Sequence, residues 1–455
     1  MLIFVAVNKQ NNKQYDAPIM SKENTLYYKK KQQVTFDFSA KEISSDGAII
    51  LCEKIERKHK LIKQFSSLIP DDRTIEKTEH SIEKMIKQRV FLMVQGYEDC
   101  NDEKYLRNDP LVNEVLDDSL ASQSTLSRLE NSPRRKDIYN ISMDYFLDSY
   151  INTITKDRKQ IIIDADGTDD PTHGDQQYSM FNGYYNQYMY NELLFHDGET
   201  GQVILPVLRP GNCHSNRWFV HILSIIVQKI RSKFPDIEIV VRADAGFSGA
   251  SFYEFADDEN LKYCIGITRN ERLKKYTETA ERIIKTAYAD KAEKYQFFAG
   301  AFEYKADSWK KAEQCYAKIE STGKGMNVRY FCSNMQGQTA KELYWDFYVK
   351  RGETSENRIK ELKNMCFSDR LSCNKYTANC MRLFFSCLCY EIFRLIKELI
   401  KKTGNTEAAK WQPSNIRLFL MKVGATISKK VRKIKISFSK AYVCRDLFTQ
   451  IVQLC

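Results

Sequence analysis

Ile161-Ile162-Ile163-Asp164-Ala165-Asp166-Gly167-Thr168-Asp169-Asp170 sets three β-branched apolar residues directly ahead of four carboxylates. An Ile-rich run this short reads as a strand buried on both faces. Gly167 and Asp169-Asp170-Pro171 are expected to stop it. The strand then delivers acids to its own end, where a sheet can meet a ligand. Carboxylates crowded there repel: a pair about 4 Å apart costs roughly 4 kcal/mol at an effective dielectric near 20. A cation or water is expected among them.

The next hundred or so residues say what lies beside that strand. Phe181-Asn182-Gly183-Tyr184-Tyr185 leads into a second strand over 188–195, and residues 196–201 read as a hairpin turn. A third strand spans 202–208. A helix follows over 215–234, with Ser215 as its cap and Val220, Leu223, Ile226 and Ile230 as its apolar stripe. A fourth strand, 237–241, arrives at Arg242-Ala243-Asp244-Ala245-Gly246-Phe247. The first three strands can pair as antiparallel neighbours. The fourth returns through a helix and so can lie parallel to the first. Asp166 and Asp244 then stand at the same end of adjacent strands. Paired carboxylates of this kind are hard oxygen ligands suited to Mg²⁺ or Mn²⁺.

Two-metal phosphoryl transfer calls for a third acid, and it is expected further along. Strand-like pieces alternate with Lys-rich connections from Tyr263 to Met335, which reads as a β-rich inserted region. Helical patterning resumes from Leu343 to Lys363 and includes Tyr348-Val349-Lys350-Arg351-Gly352-Glu353-Thr354-Ser355-Glu356. Residues 384–400 form a long apolar helix. Residues 1–150 are mainly helical, and Met1–Val7 reads as a strand, not a leader.

Composition narrows the function classes. The chain has 455 residues, 43% of them hydrophobic, enough for several cores. No stretch reaches the roughly 18 apolar residues of a membrane span, and the expected compartment is the cytoplasm. Thirteen cysteines without a Cys-x-x-Cys pair argue against a disulfide framework or a zinc site. The net charge of +11 suits a polyanionic partner. The densest basic patch is Lys429-Lys430-Val431-Arg432-Lys433-Ile434-Lys435-Ile436, which alternates as a strand does. Lys433 and Lys435 are its candidate phosphate contacts, and a lysine-guarded edge strand is the competing reading.

These segments together resemble the DDE transposases of bacterial insertion sequences, in the group whose third acid lies in a Tyr-x2-Arg-x3-Glu-x6-Lys pattern. The resemblance rests on Asp-x-Asp-Gly-Thr-Asp-Asp-Pro-Thr-His-Gly (164–174), Phe-Asn-Gly-Tyr-Tyr (181–185), Leu-Arg-Pro-Gly-Asn-Cys-His (208–214) and Arg-Ala-Asp-Ala-Gly-Phe (242–247). Gly-Tyr-Glu-Asp-Cys-Asn-Asp (96–102) and Ser-Gln-Ser-Thr-Leu-Ser-Arg-Leu-Glu-Asn (122–131) belong to it too. It implies an α/β fold: a ribonuclease-H-like core interrupted by a β-rich insertion, with a mainly helical N-terminal domain and a small basic C-terminal region. The implied boundaries are 1–155 for the helical, DNA-binding domain, 156–262 and 340–402 for the two parts of the core, 263–339 for the insertion and 403–455 for the basic region.

The resemblance implies cleavage and transfer of DNA strands at the terminal inverted repeats of a mobile element. It implies Mg²⁺ (Mn²⁺ can substitute), double-stranded DNA as partner and target, a homodimer in the synaptic complex, no membrane association and work on DNA in the nucleoid. Asp166, Asp244 and Glu356 carry over as the catalytic, metal-binding acids, with Asp164 a rival for the first. Tyr348, Arg351 and Lys363 carry over as DNA contacts. Relatives can use an aromatic of the insertion to stack a flipped base, a place Trp309 could fill.

The chain departs from the pattern at one point. Four residues, not three, separate Arg351 from Glu356, while six separate Glu356 from Lys363. One extra residue turns a side chain by about 100° on a continuous helix. A break at Gly352, recapped by Thr354 or Ser355, is the expected remedy, and Glu353 is the alternative third acid. Two rival readings remain. Asp164-Ala165-Asp166-Gly167-Thr168 also fits a haloacid-dehalogenase-type phosphatase loop, which would need parallel βα alternation. A catalytically inactive or domesticated transposase-derived DNA-binding protein is the other.

Overall fold

A strand buried on both faces needs partners on both edges, and the 160–171 strand has them. In chain order the strands of this computed structural model are β1 (Asn24–Lys29), β2 (Gln32–Phe36), β3 (Ile43–Ser44), β4 (Gln160–Pro171), β5 (Met180–Asn182), β6 (Gln187–Asp197) and β7 (Val203–Pro210). They continue with β8 (Glu238–Ala243), β9 (Lys262–Ile267), β10 (Gln296–Tyr304), β11 (Glu313–Thr322), β12 (Gly325–Ser333), β13 (Ala425–Lys430) and β14 (Lys433–Phe438). The structure describes residues 24–455 except 30, 31, 41, 75, 77, 117, 118, 291–295 and 353–355. The expected strand at Met1–Val7 lies outside the described residues.

β4 pairs antiparallel with β6 on one edge and parallel with β8 on the other. β6 pairs antiparallel with β7, and β8 pairs parallel with β9. The order β7-β6-β4-β8-β9 is therefore mixed, with antiparallel strands on one side of β4 and parallel strands on the other. The Phe219–Lys233 helix carries the chain from β7 to β8, and the Ala250–Asp258 helix carries it from β8 to β9. This mixed topology removes the phosphatase-loop reading, which needs parallel neighbours on both sides.

Three local expectations change. β4 does not stop at Gly167: its ladder to β6 runs from Ile163 opposite Asp197 to Pro171 opposite Met189. Antiparallel pairing thus holds the strand straight past the point where β8 leaves it. The helix after β7 begins at Phe219, not near Ser215; Trp218 ahead of it takes a left-handed conformation, φ 66°. The strand Lys262–Ile267, read as the start of the insertion, is instead the fifth strand of the core, because it pairs with β8.

The inserted hairpins then extend the same sheet. β12 pairs antiparallel with β9, and β11 and β10 follow outward, giving nine strands in one sheet. One of the Lys-rich connections is a 20-residue helix, Glu271–Asp290. Leu273, Thr277 and Ile284 fall on one of its faces and are buried, a helical spacing hidden among charges.

The helical remainder packs on the other end of the core. Ser81 caps the Ile82–Gln95 helix by accepting from the Lys84 backbone NH, and Gly96 closes it at φ 97°. The Tyr376–Lys402 helix is the central rod. Its Phe384 and Phe385 meet Phe65, and Phe384 also meets Phe146, at centroid distances of 5.2–6.4 Å. Among the described residues no helix is long and apolar enough to cross a membrane. β13 and β14 form a separate three-stranded sheet with β3.

Candidate active site

Side chains alternate across a strand, so Asp164, Asp166, Thr168 and Asp170 leave β4 on one face. The parallel ladder sets Ala165 opposite Ala243. Asp166 and Asp244, each one residue further on, therefore stand side by side. Asp244 lies just beyond β8, where its Oδ1 accepts from the Gly246 backbone NH at 2.8 Å. Asp166 Oδ1 accepts from the Gly167 NH at 2.9 Å. Both carboxylates are thus fixed by their own turns of backbone.

Glu356 is brought to them through Arg351. The Arg351 guanidinium donates to Asp166 Oδ2 at 2.8 Å and to Glu356 Oε1 at 3.3 Å. Gly352 has helical dihedrals, φ −60° and ψ −43°, and so has Glu356, φ −62° and ψ −38°. The segment Leu343–Tyr348 upstream is a π-helix. Glu353, Thr354 and Ser355, where the expected break and its recapping fall, lie outside the described residues.

Burial pushes the Asp166 carboxyl up to about 7; the Arg351 guanidinium opposes this, and the charges of Asp244 and then Glu356 add to it. The three acids therefore feel one another. Their donor set is all hard oxygen, the chemistry that Mg²⁺ and Mn²⁺ prefer. A buried Asp166 with Asp244 beside it fits a divalent ion of that kind. Among the described residues, however, no three acids converge as a ready ligand set. Arg351 stands between Asp166 and Glu356, and closing the three acids on an ion requires it to withdraw.

Asp164, the rival first acid, is taken. Arg242 grips it with two bonds, Nε to Oδ1 at 2.6 Å and Nη2 to Oδ2 at 2.8 Å, and Arg358 approaches Oδ2 at 3.5 Å. Asp164 is fully buried. Arg242 also donates to the Phe347 carbonyl at 2.7 Å, tying β8 to the helix that bears Arg351.

The residues expected to contact DNA fall into two groups. Tyr348, Arg351 and Lys363 gather at the acids, engaged with protein. Tyr348 stacks on Phe331 at 5.3 Å with the rings 10° apart. Lys363 Nζ donates to the Asp169 carbonyl at 2.6 Å and to Thr168 Oγ1 at 3.3 Å, pinning the outer end of β4. Lys433 and Lys435 instead sit on β14, exposed, in the other sheet. Trp309 is not available for stacking on a base: it is buried, 4.5 Å from Tyr253 and 5.4 Å from Tyr304.

Some site residues were not singled out from sequence. Arg209, fully buried on β7, donates from Nη1 to the carbonyls of Ser215 (2.9 Å) and Arg217 (2.8 Å), and from Nη2 to Asn191. It shapes the loop that faces Asp244, and burial pushes its guanidinium down to about 10. The available signal was a lone charge closing an apolar strand before Pro210-Gly211. Asp170 and Glu192 form a second buried acidic pair on the same sheet face. Among the described residues both Asp170 oxygens and Glu192 Oε1 have no protein partner, and burial pushes both carboxyls up.

A family model described as transposase DDE domain, group 1, matches residues 26–454. No curated protein matches the chain. Among solved structures, the cryo-EM structure of the piggyBac transposase synaptic complex with hairpin DNA is similar to it. The identity is 13% and the TM-score 0.41, over 84% of this chain and 81% of that one.

Proposed function

The chain belongs to the group 1 family of transposase DDE domains, and from that membership we propose that it is the transposase of a bacterial insertion sequence. It binds the terminal inverted repeats of its element and catalyses cleavage and transfer of DNA strands. The observation that supports this reading is one guanidinium, Arg351, bonded to both Asp166 and Glu356 at the end of β4, with Asp244 one residue beyond the parallel β4–β8 ladder beside Asp166.

Asp166, Asp244 and Glu356 would hold the divalent ions, Mg²⁺ or Mn²⁺. Bound there, the ions would activate a water or 3′-hydroxyl and stabilise the leaving oxygen. The chain's own residues do the rest. The Gly246 and Gly167 backbone NH groups keep Asp244 and Asp166 aimed at the cleft. Arg351, on withdrawing from Asp166, faces the phosphates that enter. Lys363 holds the β4 end in place. Lys433 and Lys435, exposed on the edge strand β14 of the three-stranded sheet, contact the duplex backbone at a distance from the chemistry, and the helical N-terminal region (1–155) shares that binding. A homodimer joins the two ends.

Purified protein with Mg²⁺ is expected to nick DNA carrying its cognate ends. Asp244→Asn is expected to keep DNA binding and to lose cleavage by at least about 10²-fold, since even outer partners of a metal site are worth 10- to 100-fold. Full cleavage by that variant would refute the metal-site assignment. Binding without cleavage by the wild type would favour the inactive, domesticated reading.

A further inference from the structure

The nine-stranded sheet ends on β10, and among the described residues no strand pairs with its outer edge. Natural edge strands are blunted by lysine, proline, bulges or short length. β14, at the edge of the three-stranded sheet, carries Lys433 and Lys435. β10 has none of these guards. It is nine residues long, Gln296-Phe297-Phe298-Ala299-Gly300-Ala301-Phe302-Glu303-Tyr304, and Glu303 is its one charge. It pairs with β11 residue for residue, from Gln296 opposite Ser321 to Tyr304 opposite Glu313, without a bulge. Aromatic rings flank the edge on both faces. Tyr276 stacks on Phe302 at 4.7 Å on one, and Trp345 lies 5.9 Å from Phe297 on the other. Phe298 is 45% exposed, Tyr276 55% and Trp345 37%.

The order of residues in β10 says what fits that edge. Phe298-Ala299-Gly300-Ala301-Phe302 reads the same in both directions. Antiparallel pairing with an identical strand, about a two-fold axis at Gly300, sets Phe298 opposite Phe302, Ala299 opposite Ala301 and Gly300 opposite Gly300. Cross-strand aromatic pairs of this kind stabilise a sheet. Glycine inside a strand weakens it and marks the close approach of another backbone. Here it leaves the axis free of side chains, and the Phe298 ring folds over the gap, 2.8 Å from where a Cβ of Gly300 would stand. Charge agrees with this register. Glu303 lies three residues from the axis on either side, so the two copies of it stand about 20 Å apart, where salt screens their repulsion. Parallel pairing in register would set Glu303 beside Glu303, which is destabilising.

We propose that β10 is a dimerisation edge: it pairs antiparallel with β10 of a second copy of this chain about Gly300, joining two nine-stranded sheets into one. Each copy has a single β10, so the pairing is isologous and closes at two copies instead of growing into a fibre. One strand pair makes a small contact by the measure of stable interfaces, which bury roughly 1,200–2,000 Å². Dimerisation through it is therefore weak and depends on concentration. The inference gives the homodimer of the proposed function a surface. It does not rest on the phosphoryl-transfer chemistry, since strand pairing needs neither DNA nor metal.

The test is sedimentation of the full chain without DNA or divalent metal. Wild type is expected to pass from monomer to dimer as its concentration rises. Ala299→Glu/Ala301→Glu puts carboxylates opposite carboxylates across the axis. It is expected to weaken dimerisation by at least about tenfold, the scale of like charges set against one another. Ala299→Glu/Ala301→Lys puts each carboxylate opposite an ammonium of the second copy and is expected to dimerise again. The second variant, equally substituted, separates a lost contact from a lost fold. Wild type that stays monomeric, or an all-acid variant that dimerises as wild type does, would overturn the pairing. A mixed-charge variant that stays monomeric would overturn the register about Gly300. Wild-type assemblies that grow beyond two copies would overturn the closed two-fold form. None of these outcomes touches the transposase reading, which the nicking of cognate ends tests separately.

Discussion

Two carboxylates leave β4 on the same face, two residues apart, and meet different company. At the inner end, Asp164 is fully buried and takes two bonds from Arg242, with Arg358 behind them. At the outer end, Asp166 takes one bond from a guanidinium that also holds Glu356, with Asp244 alongside. The inner end is a closed account of charge. At the outer end one guanidinium serves both Asp166 and Glu356, and burial first, with the charges of Asp244 and Glu356 behind it, pushes Asp166 up to about 7 against the pull of Arg351. Identical side chains on one strand thus differ in the donors that surround them: Asp164 is clamped on both oxygens by Arg242, while Asp166 shares its guanidinium with Glu356.

The comparison can be broken most forcefully at the inner end. Arg242→Ala leaves Asp164 as a buried charge without its bidentate partner, which costs about 3–5 kcal/mol. Chemical denaturation should show that loss, and a variant as stable as wild type would mean the clamp is dispensable. At the outer end the effect should fall on rate instead of stability. Glu356→Gln is expected to slow cleavage of the cognate ends by at least about 10²-fold, with the melting temperature nearly unchanged. Glu353→Gln is expected to cleave normally; the reverse outcome would exchange their roles.

An effect spread over pH concerns the buried pair further along the same face. Asp170 is pushed up to about 8, by burial first, and Glu192 is pushed up too, by burial and then by Asp170. An acid whose folded pKa is raised binds its proton more tightly when folded. Its contribution is complete below the ordinary carboxylate value near 4 and fades as pH rises toward about 8. Stability should therefore decline across that window, by no more than about 1.4 kcal/mol per pH unit for each group. Asp170→Asn is expected to flatten the decline, read as melting temperature against pH. A slope as steep as that of wild type would place the titration elsewhere.

The sequence disclosed the strand that starts the site and the acid on its parallel neighbour, because both follow from local rules. Apolar runs end at acids, and a helix between strands turns the second parallel to the first. It disclosed less where contacts are long-range. Nothing local says that β6 keeps pairing past Gly167, so β4 was read short. The nine-stranded sheet depends on β12 finding β9 across some sixty residues, and the pieces were read as a separate insertion. Charged residues around Leu273, Thr277 and Ile284 masked a helix whose buried face is narrow. Nothing local to Arg209 or Arg242 shows that they are buried, since a buried arginine announces itself only through the carbonyls or carboxylates that receive it.

The contact between Arg351 and Glu356 has a consequence for how such chains are found. A text pattern with three positions between arginine and glutamate passes over this protein, although its two side chains touch. Counting in space, from guanidinium to carboxylate, keeps a pairing that counting along the chain loses.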